Sequence, residues 1–433
     1  MGENEFIQWS IVQRSLQELV EYGVAGFESK QELPPLYLYF LWIIRKISCV
    51  TSSNLPHVGS LYFSIFRGIS DGFVVGSFSV LTRSYVPALL LGLLLSVSPE
   101  YAAHAAKLGN LGFSITLMHI ATAFFLLVIR FRRNWLAMLA VFCAWAAVQI
   151  HISCFFPAIS LILLLLLLDF THLTYQQLIK RTSVSIFSIF ILYLPYLFFP
   201  DAFLNEEVIS YQENIRHFLS FLFMENSDML QSVHILEKLG TFLGISAIPL
   251  QYSTFLTGSI LFIALLRAIL YHDKIAQLFL YSLFGTLLVY SFSREFDTTP
   301  TLLHLLLPVF LFVLSLVFSL SKTLYLYAAW GGIALVLFFF PLLYAERKQK
   351  FTMPEYDIFR KVALEVVEKG LLVKGFDGVE SLQHAKPHHI GYMLGFLGGK
   401  LDQCAKETVI AREDGSFFLL EEKGPSFPQS GDI

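Results

Sequence analysis

The stretch 111–130, LGFSITLMHIATAFFLLVIR, decides the fold. It is twenty residues of mostly apolar side chains, closed by Arg130, and about twenty such residues cross the roughly 30 Å hydrocarbon core of a bilayer as a helix. Apolar runs of similar length recur on both sides of it. Ten stretches read as spans: 60–81, 85–99, 111–130, 134–150, 154–169, 183–200, 253–271, 275–292, 301–320 and 323–344. Composition agrees: 55% of the 433 residues are hydrophobic and 15% are charged, against about 25% charged in soluble domains. The reading is an all-α, polytopic membrane protein with juxtamembrane helices and a small α/β domain at its C-terminus.

Working outward, the loops between spans set orientation. One alternating set holds Arg83; Arg130, Arg132 and Arg133; Lys180 and Arg181; Arg267 and Lys274; and Lys322. The other holds Lys107 and Arg294, apart from the long segment 201–252. Basic residues in short loops favour the cytoplasm. Residues 1–58, the 100–110 loop, 201–252, the 293–300 loop and the tail after Tyr344 are therefore expected on the opposite face. An outward stretch of this length at the N-terminus implies one further span upstream of Met1; translocation of the tail by the first span is the alternative. The net charge of −3 gives no pointer to nucleic acid, and the four cysteines, Cys49, Cys143, Cys154 and Cys404, show neither a disulfide framework nor metal spacing.

Three blocks result: an outer first loop, 1–58; a membrane domain, 59–344; and an extracytoplasmic tail, 345–433. In the first, Phe6 to Val24 carries a one-sided apolar pattern suited to a helix on a membrane surface or packed on the protein. Pro34-Pro35 opens a short helix, Leu36 to Ile47, that ends at Arg45-Lys46. In the tail, Thr352 and Pro354 read as a helix start, Gly370 as its stop, Leu371–Val373 as a strand, and Glu407–Glu422 as a hairpin about Asp414-Gly415.

Candidate chemistry gathers on the outer face. Glu3 and Glu5 are carboxylates that can serve as a general base; acids at a solvated helix start are the alternative. Glu32, before the proline pair, reads as a metal or substrate ligand or as a helix cap. Arg67 and Asp71, four apart near the outer end of the first span, share a helix face and read as an ion pair. Lys107, with Asn110 beside it, offers a point charge for a phosphate or a snorkelling anchor. His151 reads as a hydrogen-bonded structural residue. Glu213, Arg216 and His217 fall within about one helical turn, as a phosphate clamp or a polar face. Arg294, Asp297 and His304 form a last outer cluster.

The order of these features carries a resemblance. Gly2-Glu-Asn-Glu5, an amphipathic stretch, then Glu32-Leu-Pro-Pro-Leu-Tyr37 resembles the first outer loop of polyprenyl-phosphate-sugar glycosyltransferases of the GT-C architecture, such as the protein O-mannosyltransferases and the lipid A aminoarabinose transferases. Leu93-Leu-Leu-Ser-Val-Ser-Pro-Glu100 with Lys107 and Asn110, Gln212-Glu-Asn-Ile-Arg-His-Phe218, and Thr301-Leu-Leu-His-Leu-Leu-Leu-Pro308 are similar to later segments of that family, so the likeness covers about 1–344. The departures are specific. Alignment puts either Gly2 or Asn4 where the family has Asp, Leu33 where the aminoarabinose branch has a phosphate-binding lysine, Asn214 for a histidine, and Asn110 for an acid.

The resemblance implies a multi-pass protein of a bacterial inner membrane with its site on the periplasmic side. It implies inverting transfer of a sugar from a polyprenyl-phosphate donor, with Glu3 or Glu5 as base. Lys107, Asn110, Glu213, Arg216 and Arg294 would hold the donor phosphate, and Glu32 a divalent metal. The alternatives are a lipid or solute transporter and an inactive relative.

Overall fold

Apolar periodicity becomes helix along most of the described chain. The computed structural model describes residues 35–51, 56–98, 101, 108–166, 175–197, 250–292, 298–318, 327, 330–334, 337, 354–371, 375–377, 407–411 and 417–421. Its helices are α1 (Pro35–Thr51), α2 (Pro56–Thr82), α3 (Val86–Val97), α4 (Asn110–Phe131), α5 (Asn134–Ile150), α6 (Phe155–Leu166), α7 (Tyr175–Leu197), α8 (Leu250–Leu270), α9 (Lys274–Phe292), α10 (Thr298–Phe318) and α11 (Pro354–Glu368). Nine of the ten expected spans coincide with α2 to α10. Among the described residues, α4 is the one helix both long and apolar enough to cross a membrane; α3, α5 and α6 are shorter apolar helices.

Two compact units emerge. One holds Leu16–Phe40 and Phe63–Lys350; the other holds Met1–Ser15, Leu41–Tyr62 and Phe351–Ile433. In the first unit α4 packs along α5, α5 meets α6 and α7, and α9 packs on α6, α8 and α10. The α4–α5 contact follows from sequence. Ala137, Ala140, Ala144 and Ala147 recur at helical spacing on α5 and are buried, and small side chains let helix backbones approach closely. Larger residues fill the remaining space: Phe113, Phe125, Phe279 and Phe312 are wholly buried or nearly so, with the last two stacked at 5.5 Å.

Three short basic turns reverse the chain. Arg83, Arg132 and His272 take left-handed φ values of 54°, 54° and 49°. At the third turn, Arg267 Nη2 pairs with Asp273 Oδ2 at 2.8 Å, and Asp273 Oδ1 accepts the Ile275 and Ala276 N–H groups at the start of α9. Connections this short leave α4–α5 and α8–α9 as antiparallel neighbours in contact.

In the other unit, α11 stops where the sequence says. Gly370 has φ +62°, and the Gly370 and Leu371 N–H groups donate to the Val367 and Val366 carbonyls, which is the Schellman closure. Of the expected strand at Leu371–Val373, Leu371 belongs to this closure and residues 372–373 lie outside the described residues; β1 runs Gly375–Asp377. β1 is parallel to β2 (Glu407–Ala411), which pairs antiparallel with β3 (Phe417–Glu421) in register Val409 to Leu419. The hairpin limbs thus lie where expected. The short N-terminal helix also differs from expectation: α1 runs on past Arg45-Lys46 to Thr51. Lys46 Nζ sits 5.3 Å from the Trp42 ring centroid, so its charge is accommodated within the helix and does not end it.

Candidate functional site

The start of α1 meets the stretch before α4 at one hydrogen bond. Tyr37, last residue of the Glu32–Tyr37 run, is fully buried on α1, and its O–H donates to the Leu108 carbonyl at 2.6 Å. Phe113, one turn into α4, holds the ring in an edge contact at 5.3 Å and stacks on Phe63 of α2 at 4.3 Å. Such ring pairs each add about 0.5–1.5 kcal/mol beyond burial. Asn110 begins α4 and spends its amide oxygen on the Leu111 N–H at 2.9 Å. It is the first residue of the helix, the N-cap being Gly109, which makes no side-chain cap.

A second polar cluster lies in the interior. Arg67 and Asp71 do pair on α2, with Nε 3.4 Å from Oδ1. They sit mid-helix, not near its outer end. The same carboxylate oxygen takes the Tyr101 O–H at 2.7 Å and lies 2.8 Å from His119 Nδ1. An ionised carboxylate only accepts, which assigns a proton to Nδ1. Tyr101 lies between the Arg67 guanidinium, 4.1 Å from its ring centroid, and the His119 ring, stacked at 5.2 Å. Arg67 Nη1 donates to Thr116 Oγ1 at 3.1 Å, and Ser70 Oγ donates to the Thr116 carbonyl at 2.9 Å. Burial pushes the Tyr101 phenol well above its ordinary range, against the lowering pull of Arg67, so it remains a donor at neutral pH. Arg67 Nη2 is buried without a hydrogen-bond partner among the described residues. The Asp71 side chain stays 22% exposed while that of Arg67 is 3% exposed.

Beyond His119 a cavity of about 10 Å³ is lined by His119, Thr122, Ser282, His304 and Pro308, room for roughly one water. His304 Nε2 lies 3.3 Å from Ser114 Oγ. His151 Nδ1 accepts the Ser153 N–H at 3.2 Å and is 2.6 Å from Ser153 Oγ, closing the short 3₁₀ turn Ile152–Cys154.

Of the residues chosen from sequence, Asn110, Arg67, Asp71, His151 and His304 are seen. Glu3, Glu5, Glu32, Lys107, Glu213, Arg216, His217, Arg294 and Asp297 lie outside the described residues. Among the described residues, no group of three His, Cys, Asp or Glu side chains is placed to hold a metal ion. Tyr37 enters the sequence reading as the end of the Glu32–Tyr37 run, whereas Tyr101 and His119 have only a faint signal there: a tyrosine at a loop end and a lone histidine within 111–130.

Neither a family model nor a curated protein matches the sequence. Among solved structures, the chain is similar to ArnT from Cupriavidus metallidurans in the apo state, with 13% identity, 91% of this chain and 83% of that chain covered, and a TM-score of 0.47.

Proposed function

We propose that the chain is an inverting membrane glycosyltransferase that takes its sugar from a polyprenyl-phosphate donor on the extracytoplasmic face of a bacterial inner membrane. The reading includes ten spans and a small extramembrane α/β tail. One observation carries it: the Tyr37 hydrogen bond to Leu108. The Glu32–Tyr37 run and the Lys107–Asn110 run lie far apart in sequence, and the resemblance assigns both to one site. A direct bond between their ends supports that assignment.

In this mechanism Glu3 or Glu5 accepts the proton of an acceptor hydroxyl. The freed oxygen attacks the anomeric carbon from the face opposite the phosphate. The bond from that carbon to the phosphate oxygen breaks, and the polyprenyl phosphate leaves with the electron pair. Cationic side chains stabilise the charge that develops on it, here Lys107, Arg216 and Arg294, with Asn110 and Glu213 orienting the group.

The test is transfer of labelled sugar from polyprenyl-phosphate sugars by purified protein in lipid. Replacing the first-loop base costs about 10²–10⁴-fold in turnover, so one of Glu3→Gln and Glu5→Gln loses activity on that scale. Lys107→Ala and Arg216→Ala chiefly weaken donor use. Transfer unaltered in both glutamine variants and in their combination would remove the base.

One observation favours a second reading. Arg67, Asp71 and His119 are ionisable groups deep within α2 and α4, a pattern that also marks proton or substrate pathways in transporters. Donor-dependent lipid or solute flux without sugar transfer would select it, or an inactive relative if neither is found.

A further inference from the structure

The chain leaves α4 through three arginines within four residues. Arg130 lies in the last helical turn, Arg132 closes the helix in a left-handed conformation at φ 54°, and Arg133 is the extended residue before α5. All three are exposed. No aspartate or glutamate occurs between Glu100 and Asp169, so neither the turn nor its two helices offer these cations a carboxylate. The α8–α9 turn differs: there Arg267 pairs with Asp273 at 2.8 Å.

Two large rings share the α4–α5 turn. Phe131, the last residue of α4, is 52% exposed, and Trp135 is 59% exposed. Among the described residues α4 is the one helix long and apolar enough to cross a membrane, so its end puts the turn where hydrocarbon gives way to headgroups. Exposed aromatic rings settle at that depth. Guanidinium groups there meet lipid phosphates, which they grip through paired N–H donors.

We propose that the α4–α5 turn binds an anionic phospholipid, its headgroup phosphate held by Arg130, Arg132 and Arg133 and its glycerol and upper acyl chains lying against Phe131 and Trp135. The inference is independent of the glycosyltransferase reading and needs only that α4 crosses the bilayer. Charge complementarity selects the occupant. Three cations without an acid match an anionic headgroup, and two exposed rings match the apolar part of the same molecule. A soluble phosphate would engage the cations alone.

The test titrates the purified full chain in detergent with phosphatidylglycerol or phosphatidylcholine and counts bound lipid by native mass spectrometry. Arg130→Lys, Arg132→Lys and Arg133→Lys are combined in one variant. It retains the positive charge that orients the spans, but a lysine is a point charge without the paired donors. The wild type is expected to prefer phosphatidylglycerol, and the triple variant to bind it about tenfold more weakly, the scale of a lost hydrogen bond to a charged group. Phosphatidylcholine binding changes little in that variant. Trp135→Ala is expected to weaken phosphatidylglycerol binding several-fold, and added salt weakens it further by screening the exposed charges. Equal affinity for the two lipids, or a triple variant that binds phosphatidylglycerol as the wild type does, overturns the proposal. Displacement of phosphatidylglycerol by an equal concentration of glycerol 3-phosphate also overturns it, because the site would then read a soluble phosphate. If the triple variant does not fold, the three single lysine variants are titrated instead, and the absence of any weakening among them has the same consequence.

Discussion

Among the described residues, Arg67 is a charged side chain at only 2% exposure, and a charge taken out of water is costly unless it is paired. Its charge is met by Asp71, by Thr116 and by the face of the Tyr101 ring. Removing the partner leaves the charge buried, which costs roughly 3–5 kcal/mol when both groups are fully enclosed. Asp71 is partly exposed, so Asp71→Leu belongs at or below the lower end. Arg67→Leu combined with Asp71→Leu removes both charges and is expected to regain most of the loss. Thermal denaturation in detergent reads the order: wild type and the double variant close together, the single variant well below. A double variant worse than either single would show that the pair is not the source of the cost. The i, i+4 pair was legible in the sequence because both members lie on one helix. Tyr101 and His119 were not: they reach Asp71 from 30 and 48 residues away, and no local pattern encodes contacts of that range.

Helix extents were the most legible feature at the scale of elements, because apolar run length maps directly onto helix length. The stretch 134–150 matches α5 residue for residue, and 111–130 matches α4 to within one residue at each end. Ends set by charge were read less well, as at Arg45-Lys46. How the helices pack depends on glycines that look alike in sequence but differ in surroundings. A Cβ built on Gly285 of α9 would lie 2.7 Å from Cβ of Phe156 on α6, whereas at Gly72 and Gly76 of α2 it would meet nothing within 4 Å. Gly285→Ala therefore forces α6 and α9 apart and is expected to destabilise by about 1–3 kcal/mol, the usual cost of overpacking. Gly72→Ala gains about 0.5–1 kcal/mol from helix propensity. Unfolding midpoints of the two variants should move in opposite directions. Equal shifts would mean that α6 and α9 do not pack this closely.

At the scale of the whole molecule, sidedness links the fold to the proposed chemistry. The orientation rests on the charge distribution in the loops, which favours basic residues on the cytoplasmic side. The short turns at Arg83, Arg132 and His272 each join one proposed span to the next, so in the proposed topology successive spans run in opposite directions. The Tyr101–Asn110 loop lies between two of these turns in sequence, and the proposed topology puts it on the opposite face. Single cysteines at exposed turn positions test this in a cysteine-free chain within sealed inner-membrane vesicles of known orientation. Tyr85→Cys, at a position 79% exposed, and His272→Cys are expected to react with an impermeant maleimide only from the cytoplasmic side. Lys107→Cys is expected to react only from the opposite side. A polyprenyl donor and a water-borne acceptor can meet at Lys107 and the first-loop carboxylates only if all of them face one compartment. Lys107→Cys labelled from the same side as Tyr85→Cys would therefore remove the shared site, and the mechanism with it.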